Sequence, residues 1–140
     1  MTKPLWAPWR LEYIQQADED RGCFLCRAAE EGSDDEASLV LERGRHAFAL
    51  LNRFPYASGH LMVAPRRHVG EFTALSNDEA LQVHQLAARG IAALSTVFSP
   101  QGYNVGWNLG RVAGAGVLDH VHLHVVPRWA GDTNFMPVLA

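Results

Sequence analysis

The sequence predicts one α+β domain in which a five-stranded antiparallel sheet carries one long and one short helix on one face. Three observations predict it: five short apolar stretches bounded by turn residues, one long amphipathic helix with clear start and stop signals, and no regular strand–helix alternation of the kind that builds parallel sheets. With 140 residues, 48% of them hydrophobic, the chain is sized for a single core that removes roughly two-thirds of the unfolded surface from water.

Along the chain, residues 1–22 carry Pro4, Trp6, Pro8 and Trp9 and then a charged stretch, and read as an irregular arm ahead of a domain spanning residues 23–140. A short helix is expected from about Phe24 through Glu30. The block Gly32-Ser33-Asp34-Asp35-Glu36 then reads as a solvated acidic loop. Leu39–Leu41 and Ala47–Leu51 read as strands around a turn at Gly44, and Leu61–Ala64 as a third after Pro55 and Gly59. Ser76-Asn77-Asp78-Glu79 is a capping box, in which the Ser hydroxyl and the Glu carboxylate each satisfy a backbone donor that the first helical turn leaves over. Leu81, Val83, Leu86, Ala87, Ile91, Leu94 and Val97 follow at three- and four-residue steps, so a helix is predicted from Asn77 to Phe98, stopped by Pro100. Tyr103–Trp107 alternates as a fourth strand, and His120–Val126 as the fifth.

Composition narrows the function. Twelve basic and fifteen acidic residues give a formal net charge of -3, which supplies no field for a nucleic-acid backbone or an anionic membrane. An anionic substrate must therefore be held by local groups. No apolar run approaches the roughly 20 residues of a membrane span, and the first residues lack the apolar stretch of a signal peptide, so a cytoplasmic protein is expected.

The residues that carry chemistry sit late in the chain. In His120-Val121-His122-Leu123-His124-Val125-Val126, strand alternation is expected to send three imidazoles to one face and Val121, Leu123 and Val125 toward a core. Imidazole can act near neutral pH as nucleophile, proton carrier, phosphate donor or metal ligand, so a row of three points to function. The preceding loop, Gly110-Arg111-Val112-Ala113-Gly114-Ala115-Gly116, can bring backbone N–H groups close to phosphate oxygens, although it matches neither a P-loop nor a dinucleotide fingerprint. Cys23 and Cys26 form a single C-x-x-C, which taken alone is half a zinc site, half a redox pair, or two small apolar residues. His46 and His84 fall in no motif.

Together these segments resemble the histidine-triad (HIT) family, whose signature is His-x-His-x-His followed by two apolar residues. Phe48-Ala49-Leu50-Leu51-Asn52-Arg53 and Gly59-His60-Leu61-Met62-Val63-Ala64-Pro65 are similar to the family's ribose-binding strand and the strand after it. The resemblance implies that His122 is a nucleophile toward the α-phosphate of an adenosine nucleotide or dinucleoside polyphosphate, and that His124 contacts phosphate or the leaving group. It also implies that Asn52 holds a ribose hydroxyl, that Asn108 contacts phosphates, and that His60 lies beside the pocket. Where many members carry Gly-Gln-Ser before the triad, this chain has Ala115-Gly116-Val117-Leu118-Asp119, so backbone groups at Gly114 and Gly116 are expected to replace a side-chain phosphate donor.

Zinc-containing members complete a Cys pair with a histidine after the second-strand proline and with the first triad histidine. Here those positions are His68 and His120, which implies a structural zinc held by Cys23, Cys26, His68 and His120. The segments around Trp6, Asn104 and Trp129 resemble a bacterial branch that includes diadenosine-tetraphosphate phosphorylases. Relatives of that branch continue into a further helix, so the sequence is expected to stop short of the native end. The family also implies a homodimer across the long helix and an adjacent strand. The rival reading is a non-catalytic nucleotide- or metal-binding module in which all three triad histidines share one metal.

Overall fold

The computed structural model describes residues 22–32, 34–115 and 119–132. The N-terminal arm up to residue 21, Gly116 and residues 133–140 lie outside these.

Five strands form one antiparallel sheet: β1 (Val40–Arg43), β2 (Ala47–Leu51), β3 (Leu61–Pro65), β4 (Gly102–Trp107) and β5 (Leu123–Arg128), in the spatial order β1-β2-β3-β5-β4. The last strand thus inserts between β3 and β4. Three helices accompany the sheet: α1 (Phe24–Ala29), α2 (Asp35–Ser38) and α3 (Asn77–Phe98).

The period-2 alternation of strand side chains divides the core in two. Ala47, Ala49, Leu61, Val63, Leu123 and Val125 face α3, where Val83, Leu86, Ala87 and Leu94 recur at helical spacing. Phe48, Leu50, Met62 and Ala64 face the other way, onto Leu25, Ala28 and Ala29 of α1, so helices cover both faces of the sheet rather than the one expected, because β2 and β3 are apolar on both sides. Phe48 has no exposed surface, and truncating it to Ala is expected to cost about 3–5 kcal/mol. The sheet and α3 approach closely at Gly90, where a Cβ would stand 2.6 Å from Leu61 Cδ1.

The helix α3 begins as the sequence predicts: Ser76 Oγ accepts the Glu79 amide at 3.1 Å, and Glu79 Oε1 accepts the Ser76 amide at 2.9 Å. It ends at Ser99 in the left-handed region, before Pro100. Gln82 ties the helix to the β1–β2 turn, its Oε1 accepting the backbone amides of Ala47 at 2.8 Å and of His46.

Three further expectations are corrected. The acidic loop contains a one-turn helix, α2, because Asp34 Oδ1 accepts the Ala37 amide at 3.2 Å and caps it; there are two short helices rather than one, besides 3-10 turns at Phe72–Ala74 and Arg111–Ala113. The first strand runs over 40–43 rather than 39–41, because Leu39 takes a left-handed conformation at the end of α2. The last strand starts at Leu123 and reaches Arg128, not His120 to Val126. Residues 120–122 spend their backbone groups elsewhere: the Val121 amide donates to Val69 O at 2.8 Å, and His120 O accepts a side-chain donor. Among the described residues, no helix is long and apolar enough to cross a membrane.

Candidate active site and metal centre

The triad divides into two jobs. His120, His122 and His124 are all buried, as is His60 in the β2–β3 loop. The ring of His120 turns toward the cysteines, whereas those of His122 and His124 meet each other edge to face, with centroids 4.9 Å apart.

Hydrogen bonds fix which nitrogen carries the proton on each ring. His122 Nδ1 donates to the main-chain carbonyl of His120 at 3.0 Å, so in the neutral ring the lone pair sits on Nε2. The arrangement at His124 is opposite. The Tyr56 amide donates to His60 Nδ1 at 3.1 Å, which makes that nitrogen an acceptor and puts the His60 proton on Nε2. His60 Nε2 then donates to His124 Nδ1 at 2.8 Å, and the His124 proton is left on its own Nε2. The Tyr56 amide, with Asn52 Nδ2 at 3.5 Å from the same His60 nitrogen, thereby sets two tautomers in series. The Tyr56 ring stacks on His60 at 5.3 Å and holds its plane.

Asn52 is buried directly after β2. Its Oδ1 accepts the Phe54 amide at 2.9 Å, and its backbone amide donates to His60 O at 2.9 Å. The carboxamide is thus oriented by an Asx turn while Oδ1 retains a second lone pair. Beside it opens a cleft of about 450 Å3 whose walls include Leu39, Leu51, Arg53, Pro55 and His60. On the far side of the triad, β4 pairs Gly106 with His124 and Trp107 with Leu123, so Asn108 follows at the level of His122. Gly110 and Gly114 take φ of 87° and 96°, a region costly for other residues, and a Cβ on Gly114 would lie 3.8 Å from Asn108 Nδ2. The glycine loop and Asn108 are therefore adjacent.

The second job belongs to the donor set Cys23, Cys26, His68 and His120, whose ligand atoms all lie within 4.8 Å of one another. Cys23 Sγ stands 3.3 Å and Cys26 Sγ 3.4 Å from His120 Nδ1, and Cys26 Sγ stands 3.1 Å from His68 Nδ1. Tetrahedral coordination at ordinary Zn–S and Zn–N lengths places sulfur and nitrogen about 3.6 Å apart, so small adjustments suffice to seat a metal ion. The chemistry of the donors agrees. Burial, together with the neighbouring Cys23 thiol, pushes the Cys26 thiol up to about 11, a penalty that a bound cation reverses. Burial also holds His120 below the usual imidazole range, against the Pro65 carbonyl that accepts its Nε2–H at 2.7 Å and raises it. That carbonyl is the outer partner a metal-bound histidine needs to present Nδ1. Among the described residues, this is the one cluster of three or more Cys, His or acidic side chains arranged for a metal.

Sequence reasoning assembled both clusters but missed the groups that orient them. Tyr56 acts through a backbone amide, and the carbonyls of His120 and Pro65 through their oxygens, none of which has a sequence signal. His46 and His84 stay outside both sites, half-buried before β2 and exposed on α3.

The HIT domain pattern matches residues 34–131. A curated AP-4-A phosphorylase from Mycobacterium tuberculosis is 38% identical over 96% of this chain and 72% of its own length. The chain belongs to the HIT domain family, and within it resembles that phosphorylase. A HIT family protein from Bacillus subtilis shares the fold with TM-score 0.69 at 23% identity, covering 79% of this chain and 76% of its own. A zinc-bound histidine triad protein from Mycobacterium smegmatis does so with TM-score 0.60 at 21% identity, covering 87% and 77%.

Proposed function

We propose that the protein is a nucleotidyl-transferring enzyme that cleaves a dinucleoside polyphosphate or adenosine nucleotide at the α-phosphorus through a nucleotide–His122 intermediate. The observation that carries this reading is the pair of opposite tautomers on touching imidazoles, with a lone pair on His122 Nε2 and a proton on His124 Nε2. In the first step His122 Nε2 forms a bond to phosphorus while the bond from phosphorus to the leaving oxygen breaks, and that oxygen takes the proton of His124 Nε2. In the second, water or orthophosphate gives a proton back to His124 and attacks phosphorus, and the P–N bond breaks. Asn52 holds the ribose, and Asn108 with the backbone of Gly114 and Gly116 holds phosphate oxygens. The likeness to AP-4-A phosphorylase supports the substrate class.

In the same reading the metal is zinc. Two thiolates and two imidazoles are the donors it prefers, a set of four leaves it structural, and the zinc-bound relative supports the choice. A homodimer is part of the proposal: β4 ends the sheet order, Val105 on it is 45% exposed, and Leu81, Val97 and Phe98 of α3 are exposed as well. The non-catalytic alternative is disfavoured by the divided triad, since His120 alone turns to the cysteines.

The test supplies diadenosine tetraphosphate with and without orthophosphate. ADP plus ATP identifies phosphorolysis, and AMP plus ATP hydrolysis. His122→Ala should lose about three decades of turnover or more while binding AMP almost normally, since orientation and electrostatics survive without a nucleophile. Turnover of that variant within tenfold of the wild type would refute the mechanism.

A further inference from the structure

We infer that Cys23 and Cys26 form a thiol–disulfide switch on the nucleophile, which a low-molecular-weight disulfide throws by oxidising the pair and releasing the metal they hold. The effect on catalysis rests on the reading of His122 given above. The effect on metal and tautomer does not.

The first support is the geometry of the pair. Cys23 is the N-cap of α1 and Cys26 its third residue, with the Arg27 amide donating to Cys23 O at 3.2 Å. Residues three apart on a helical turn have Cα atoms about 5 Å apart, inside the span a disulfide bridges. Both sulfurs already converge on one point, 3.3 and 3.4 Å from His120 Nδ1, and both residues are half-buried, within reach of a small oxidant. The two roles open to a C-x-x-C, metal ligand and redox pair, are thus alternate states of the same two atoms.

The second support is the position of His120. Its ring faces the cysteines, and its main-chain carbonyl accepts the Nδ1 proton of His122. The donor set also joins two neighbouring segments, 65–70 and 119–122, because His68 lies on one and His120 on the other. Those segments also meet through the Val121–Val69 bond, the His120–Pro65 bond, the edge-to-face contact of the His68 and His120 rings at 5.3 Å, and the packing of Gly70, where a Cβ would stand 3.1 Å from Asp119 Cα. Removing both thiolates from the donor set loosens the clamp on the carbonyl that selects the His122 tautomer. The chemistry balances: two cysteine thiolates lose one electron each and join as S–S, the external disulfide R–S–S–R takes both electrons and leaves as two thiolates, and the divalent cation departs unchanged.

The experiment treats zinc-loaded protein with glutathione disulfide and reads four quantities: zinc by a colorimetric chelator, intact mass, the tautomer of 15N-labelled His122 by long-range nitrogen–proton spectra, and turnover of diadenosine tetraphosphate. The expected result is one zinc released per protein, a loss of two mass units without an adduct, and His122 spread over both tautomers. Turnover should fall at least about twofold, in proportion to the share of His122 that loses its Nε2 lone pair. All four should return with reductant and zinc. Cys26→Ser should show no two-unit loss and no oxidant-dependent fall in turnover; should that variant not fold, the reversible cycle on the wild type decides alone. A disulfide that leaves the His122 tautomer unchanged overturns the inference, as does a stable glutathione adduct with no internal disulfide, or a protein that takes up no zinc. If the reduced protein turns over no nucleotide, the proposed function fails, while the metal, mass and tautomer still decide the switch.

Discussion

Glu79→Gln is expected to destabilise the protein by about 2 kcal/mol at neutral pH. The Glu79 carboxylate is buried, accepts Arg67 Nε at 3.1 Å and Nη2 at 2.8 Å, and closes the capping box on Ser76. The Arg67 guanidinium first, and the Ser76 amide after it, hold the carboxyl at about 2 against a reference of 4.5, burial opposing them. Taken at face value, that shift is worth about 3 kcal/mol. The Arg67 side chain is 54% exposed and can recover water when the pair is broken, which brings the figure to about 2. For a chain of 140 residues, this corresponds to a melting temperature lower by about 7 °C. The stabilisation is complete where the unfolded chain's glutamate is ionised, above about pH 4.5, and is lost as the pH falls through the folded value near 2. Differential scanning calorimetry of both proteins as apoprotein, from pH 7 to pH 2.5, keeps metal release out of the comparison. The gap between them should narrow steadily below about pH 4.5. A gap under 1 °C at pH 7, or one that stays constant down to pH 3, refutes the reasoning.

Other expectations concern the site and the assembly. His60→Phe removes the donor that sets the His124 tautomer, so turnover should fall about 10- to 100-fold with a phosphate leaving group but much less with p-nitrophenolate, which departs without a proton; equal losses would assign His60 a merely structural part. Asn52→Ala should raise KM for diadenosine tetraphosphate about tenfold and leave kcat within a few-fold, and unchanged kinetics would remove the ribose from this residue. Val105→Asp puts a charge on the edge strand of the proposed dimer and should halve the mass seen in sedimentation at micromolar concentration; a monomeric wild type contradicts the dimer itself.

The fold was legible where its causes are local. The start and end of α3 follow from Ser76, Glu79 and Pro100, and β2 and β3 follow from apolar runs bounded by Gly44, Pro55 and Gly59. What the sequence concealed was competition for backbone groups. The acidic block 32–36 reads as a loop until Asp34 is seen to cap the next turn, a choice settled by a single side-chain bond. The triad segment reads as strand from His120 onward because its side chains alternate. Its backbone is bound instead to Val69 and to the ring of His122, and these contacts cross more than fifty residues in one case and only two in the other.

The same distinction explains the site. Residue types announce donors and acceptors on side chains, so five histidines and two cysteines could be gathered from the sequence. The division of labour among them is set by backbone groups that every residue possesses: the Tyr56 amide, the Pro65 carbonyl and the His120 carbonyl. An imidazole has two nitrogens and is indifferent between them to within a small energy, so one fixed backbone partner is enough to make it a nucleophile, a proton donor or a metal ligand. On the proposed mechanism, three histidines of one motif thereby acquire three functions without differing in chemistry. Substituting the ring tests its presence, whereas moving its backbone partner tests its role. The His120 carbonyl is therefore the more informative place to perturb the proposed nucleophile, and because the donor set of Cys23, Cys26 and His68 meets the same residue, the inferred switch would act on His122 without touching it.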